Sequence, residues 1–302
     1  MAEALRSIAG VCDVEFVRGV DADPSAVPDL LLEVPHGATL TEHFDQLRAE
    51  LQGDYDDGLR DFFFVNTDVG SPELALAIAK GVVARAPTRS AVVIRCLLPR
   101  TFVDTNRAIA RDTVAAASKP GEMTPGLPPW VLHAADRDLL LDRYFAYRGV
   151  VAPAFASICE GDGRALCVHT YAPRSIDVAV DEDIALALHQ AYAPDRIHTW
   201  PLRAEVDLIT HDPDGVVLAD EELAQRAERE FAAAKVQVIR NGTYSLHPSS
   251  LAFEYAQQYP GKTLCFEVRR DLLLDAFVPF VELHPRAAQV DRMAQPLIRA
   301  LS

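Results

Sequence analysis

Apolar positions follow two rhythms along this chain. Short continuous or alternating runs, rich in branched and aromatic residues, lie at 11 to 17, 29 to 35, 61 to 66, 91 to 98, 165 to 171, 236 to 240 and 263 to 268. Their length and composition predict strands. Between most of them the period lengthens, predicting helices at 41 to 52, 138 to 160, 181 to 192, 219 to 235, 249 to 259 and 286 to 300. The clearest helix opens at Ser71-Pro72-Glu73 and runs to Pro87, with a cap residue, a proline in the first turn and an acid beside it. Strands alternating with helices predict an α/β fold, a mixed, largely parallel sheet covered on both faces. In such sheets sites form beyond the strand C-termini.

Four polar residues stand at the ends of apolar runs. They are His36 after LLLEVP, Asp68 after FFFVNT, His169 after ALCV and Glu267 in TLCFEVRRD. Two histidines and an acid offer three ligands for one divalent metal with a position left for water, and a late glutamate offers a base for that water's proton. The acidic ligand has three candidates: Asp68, just before Gly70 opens a turn, and Glu42 and Glu73 in the helices that follow. A buried glutamate at 267 would have a raised pKa, suited to a general base, unless Arg269 or Arg270 pairs with it. The segment PRTFVDTNR places Arg100, Asn106 and Arg107 around Asp104. Guanidinium forks grip carboxylates, so this segment is a candidate clamp for a small acidic substrate, with an internal bridge to Asp104 as the competing use of one arginine.

Composition narrows the choice. With 44 Asp plus Glu against 29 Lys plus Arg, the net charge is -15, and no basic run offsets it, so a nucleic-acid partner is not expected. The first 17 residues carry acids where a leader needs an apolar core, and no uncharged stretch reaches the roughly 18 residues of a membrane span. A cytoplasmic protein is the expectation, in keeping with five cysteines and no CxxC. Cys96, Cys167 and Cys265 fall in strand-like runs, and neither Cys12 nor Cys159 has a base beside it in sequence. No repeat divides residues 1 to 302, which read as one domain with two decorations. The first is a proline-rich loop at 112 to 130, a lid or a surface excursion. The second is a β-hairpin near 205 to 218, turning at Pro213-Asp214-Gly215 and expected at a sheet edge.

These motifs together, PHG after a strand, TD before a helix, RTFVDTNR, HT after LCV and EVR late in the chain, resemble the N-formylglutamate amidohydrolase family over roughly residues 29 to 275. The resemblance implies a three-layer αβα sandwich of the phosphorylase/hydrolase-like type, similar to zinc carboxypeptidases. It also implies a zinc-dependent amidohydrolase in which His36, His169 and an acid such as Asp68 hold Zn2+, Glu267 is the general base, and Arg100 and Arg107 hold the substrate carboxylate. The chain departs from the pattern where Ala146-Tyr147-Arg148 replaces Pro-Tyr-His and where NGTYSLHP, with Tyr244 and His247, replaces a glycine-rich segment. These changes make Arg148 and Tyr244 candidate substrate contacts and leave the acyl group open. A carboxypeptidase-like peptidase, an N-acyl deacylase and, in another class, a non-catalytic binder of an acidic ligand remain alternatives.

Overall fold

The computed structural model describes residues 5–302. Its strands are β1 (Cys12–Arg18), β2 (Leu30–Val34), β3 (Ser90–Cys96), β4 (Arg164–Tyr171), β5 (Val206–Ile209), β6 (Val238–Arg240) and β7 (Thr263–Arg269). They form one sheet in the order β1-β3-β2-β4-β7-β5-β6. The central strands β3, β2, β4 and β7 run parallel to one another, while β1 and β5 are antiparallel to their inner neighbours and β6 runs with β5. Helices α1 (Thr41–Arg48), α2 (Leu59–Asn66), α4 (Ala134–Cys159), α5 (Ile184–Ala191) and α7 (Leu251–Gln258) contribute to the core on one face. The other face is covered by α3 (Ser71–Arg85), α6 (Glu221–Ala233) and α8 (Ala287–Leu301). This is the three-layer α/β sandwich with a mixed, mostly parallel sheet that the alternating pattern predicts.

Strand alternation decides which residues reach the site. Leu30, Leu32, Val34, Leu166, Val168, Leu264, Phe266 and Val268 pack under α3, α6 and α8. Their neighbours in sequence, Glu33, His169 and Glu267, therefore point to the opposite face. His169 and Glu267 are direct partners in the β4–β7 register, and Glu267 is also paired with Asp207 of β5. One row across three strands thus holds a histidine and two carboxyl groups on one side of the sheet.

Two expectations fail. The apolar run at 61 to 66 is not a strand but the body of α2. A run of four to six apolar residues is too short to reveal its period, and this helix is buried nearly all round, with Phe62, Phe63, Phe64 and Val65 in the core and Phe63 and Phe62 against Phe44 and Trp130. The segment near 205 to 218 turns back at Pro213-Asp214-Gly215 as expected, with the Asp212 amide donating to the Val216 carbonyl and the Leu218 amide to the Thr210 carbonyl around a His211–Val217 bridge, but its strand is not at a sheet edge: β5 lies inside the sheet between β7 and β6. Val206 and Leu208 are fully buried, so β5 is stabilised by packing under the helices rather than by a hairpin partner.

Candidate metal and hydrolytic site

His36 leaves β2 two residues past its end, in a bend that Gly37 makes possible. A Cβ at Gly37 would lie 2.6 Å from the Arg95 side chain and 3.0 Å from the Cys96 carbonyl, so no larger residue fits this turn unchanged. Asp68 arrives from another direction, after α2 and before Gly70, whose φ of 90° is left-handed and whose missing Cβ leaves room for Leu273. His169 sits near the end of β4. All three are buried. Asp68 Oδ2 lies 3.3 Å from His36 Nδ1 and 3.1 Å from His169 Nδ1.

The donor set can be tested against a metal. Ligand atoms about 2.0–2.1 Å from a tetrahedral ion stand about 3.3 Å apart, which is the spacing observed along both measured edges. Two imidazole nitrogens and one carboxylate oxygen suit zinc and similar divalent ions. His36, Asp68 and His169 could therefore hold such an ion, and they form the single cluster of this kind among the described residues. Glu42 and Glu73 are both exposed and stand outside it, so of the three candidate acids Asp68 is the one brought to the histidines.

Outer contacts fix the three residues. His36 Nε2–H donates to Asp104 Oδ1 at 2.8 Å, the arrangement that orients a metal-binding imidazole and selects its tautomer. Burial alone would raise the Asp104 carboxyl, but the Arg100 and Arg107 guanidinium groups hold it well below the usual carboxylate range. Burial and Arg100 oppose a charge on His36, yet the Asp104 and Asp68 carboxylates outweigh them and shift it upward. Asp68 is likewise buried and still held low, by the two histidines; its other oxygen accepts from Arg270 at 3.2 Å. Asp104 was legible only as part of RTFVDTNR, with nothing in the sequence to say that it reaches His36. Replacing it, as Asp104→Asn, is expected to weaken metal affinity by about 10- to 100-fold with the fold intact, as read from a zinc competition titration.

Glu267 differs from every other acid here. It has no ion-pair partner among the described residues, because Arg269 pairs with Asp271 and Glu205 while Arg270 serves Asp68. Its Oε2 and the His169 Nε2 are buried without hydrogen-bond partners. Burial pushes its pKa up to about 7. A carboxyl poised near neutrality, with one oxygen unengaged and a cavity in front of it, can accept and return a proton.

The cavity has a volume of about 550 Å³ and includes His36, Asp68, His169 and Glu267 in its wall. Five arginines also line it, Arg100, Arg107, Arg174, Arg203 and Arg270, beside four acids, Asp68, Glu122, Asp177 and Glu267, so a strongly acidic chain concentrates guanidinium groups here. Arg107 is spent mainly on the loop, donating to the Thr124 carbonyl and hydroxyl at 2.8 and 2.9 Å. Arg100 binds Asp104 through Nε and remains 21% exposed. Asn106 lines the cavity while its Oδ1 accepts from the Ala252 amide at the start of α7. Tyr244 and His247 also line it, as does the 112 to 130 loop through Ser118, Gly121, Glu122, Met123 and Thr124. Asp177, also in the lining, accepts from the Gly121 amide of this loop.

Arg148 lies off the cavity wall in an ion pair with Glu254. Its neighbour Tyr147 is fully buried and donates to Glu33 Oε1 at 2.6 Å. Arg148→Ala is therefore expected to change kcat/KM by less than about twofold, since only a half-exposed ion pair is lost. The five cysteines are free thiols and buried, and burial pushes Cys96 and Cys159 up to about 12 and holds Cys167 and Cys265 well above the usual thiol range. None supplies a thiolate at neutral pH.

No protein-family signature and no curated protein matches the chain. Among solved structures it is similar to an N-formylglutamate amidohydrolase from Ralstonia eutropha JMP134, at 17% identity and a TM-score of 0.56, over 95% of this chain and 96% of that one. It is similar also to a gene product of Agrobacterium tumefaciens, at 17% identity and a TM-score of 0.53, over 100% and 95% of the two chains. The fold implied by the sequence motifs is thus shared along nearly the whole length. At this identity the likeness is one of fold.

Proposed function

We propose that this protein is a metal-dependent hydrolase of a C–N amide bond in a small acidic N-acyl amino acid. The observation that carries the reading is the convergence of His36, Asp68 and His169 on one point beside an unpaired, near-neutral Glu267, at the floor of an arginine-lined cavity. A divalent ion, zinc by its donor set, would supply Lewis acidity toward the amide carbonyl and make a nearby water easier to deprotonate. Glu267 takes the water's proton and returns it to the leaving amine. Asp104 keeps the His36 imidazole in one tautomer and orientation, and Arg270 holds Asp68 by its second oxygen. Arg100, which keeps 21% of its side chain exposed, meets the substrate's carboxylate or the developing oxyanion, with Asn106 and Tyr244 also lining the cavity. The reading places the protein in the cytoplasm, where its five thiols stay reduced. No helix among the described residues is long and apolar enough to cross a membrane.

The test is a panel of N-formyl, N-acetyl and dipeptide substrates of glutamate and aspartate, assayed for free amine and for formate in the presence of zinc. Release of amine from at least one member is expected, and formate with it identifies the acyl group as formyl. Amine without formate from any N-formyl compound points to a deacylase or peptidase, while silence across the panel with tight binding of the same compounds would leave a non-catalytic binder.

A further inference from the structure

Arg203 belongs to none of the motifs that the sequence brings forward, and its surroundings are unlike those of the other cavity arginines. Arg100 and Arg107 face Asp104, and Arg270 faces Asp68. Arg203 has no carboxylate partner among the described residues. Its Nη2 donates to the Tyr244 hydroxyl at 3.0 Å and its Nη1 approaches the Ala172 carbonyl at 3.4 Å, while its Nε is buried with no partner at all. The guanidinium lies 5.0 Å from the Tyr171 ring centroid and 5.5 Å from that of Tyr244, so two aromatic rings hold it in place. A buried guanidinium N–H without an acceptor is costly unless something arrives to accept it.

Placement says what arrives. Arg203 lines the same cavity as Glu267, and its charge is felt by Glu267 and Arg270 at the β7 side. Arg100 and Arg107 stand on the wall built by the 99 to 107 and 112 to 130 segments. A ligand in this cavity therefore meets cationic groups carried by separate segments, with Glu267 in the same lining. Arg174 adds to the second wall; its guanidinium donates to the Trp200 carbonyl and has no carboxylate partner among the described residues.

We infer that Arg203 is a specificity-determining residue, whose free Nε–H and Nη2 edge binds a second anionic group of the ligand, so that a dicarboxylic N-acyl amino acid is favoured over its monocarboxylic amide analogue. This rests on the proposed function for the choice of ligand and not for the anion site itself. Tyr171 and Tyr244 are positioning residues, because they fix the plane of the fork against which a carboxylate aligns in two bonds.

The experiment is a calorimetric titration of chelator-treated protein with N-acetyl-L-glutamate and N-acetyl-L-glutamine, which differ in one anionic group and which cannot be turned over under these conditions. Wild type is expected to bind the glutamate compound at least about tenfold more tightly, a difference of the size that one charge-assisted hydrogen-bonded pair confers. Arg203→Met should bring the two within about twofold, Arg203→Lys should keep part of the preference, and both should melt close to wild type, since the backbone at Arg203 makes its bonds to Pro173 and Arg269 without the side chain. An undiminished preference in Arg203→Met, or no preference in wild type, overturns the inference. If the preference is present and removed by Arg203→Met while no metal supports amide cleavage, the hydrolase reading fails and the anion site stands.

Discussion

Glu267→Gln is expected to lower kcat by about a thousandfold while leaving metal stoichiometry unchanged. The size follows from removing a positioned proton acceptor, which contributes on the order of 10²- to 10⁴-fold, and from Glu267 being the buried acid with an unpartnered oxygen among the described residues. Asp207 is the nearest alternative by register, but its oxygens accept from the Gly242 and Thr243 amides at 3.1 and 2.6 Å and are not available. The same substitution should make the metal-free protein more stable at alkaline pH. In the folded, metal-free state Glu267 titrates at about 7, above its ordinary 4.5, so its contribution to stability is complete below about pH 4.5 and is lost as pH rises to about 7. Glutamine does not ionise, and Glu267→Gln should therefore gain about 3 kcal/mol at pH 8 and nothing at pH 4, as read from denaturant unfolding at both. Equal stability at the two values would mean that the carboxyl is better solvated than its burial indicates.

His36→Ala and His169→Ala should each abolish tight metal binding and with it activity by about 10³- to 10⁴-fold, equivalent to several kcal/mol of lost transition-state stabilisation. Either change leaves two ligands from three, and Asp68, already committed to Arg270 through its other oxygen, cannot compensate. The two variants separate the metal from the surrounding polar network. His36→Ala also strands Asp104, which retains Arg100 and Arg107, whereas His169→Ala removes an imidazole whose Nε2 has no partner to lose. His169→Ala should accordingly cost less stability than His36→Ala in the metal-free protein, although both lose metal.

Much of this arrangement is written locally. β2, β4 and β7 are continuous apolar runs, and a polar residue at the end of such a run must face a site or an internal partner, so His36, His169 and Glu267 could be singled out from the sequence. Asp68 stands at the end of a run that the sequence predicts as a strand. It follows a helix, not a strand, and reaches the histidines because the left-handed turn at Gly70 redirects the chain into α3. Asp104 and Arg203 act through contacts 68 and 41 residues away in sequence, to His36 and Tyr244, and nothing in their own neighbourhoods encodes those meetings. Arg148 shows the converse: a conspicuous change in a motif that the fold directs away from the cavity, to the half-buried Glu254. The position of β5 inside the sheet was hidden for a related reason, since the turn residues after it read as a hairpin while the pairing that matters is with β7, some 60 residues on.

The central claim is that His36, Asp68 and His169 hold one divalent ion and that amide cleavage depends on it. Titrating chelator-treated protein with zinc while following hydrolysis of the best substrate in the panel tests this directly. Activity is expected to rise linearly and reach its plateau at one equivalent per chain, with no recovery in His36→Ala. Full activity in the chelated protein, or a plateau unaffected by His36→Ala, would contradict it.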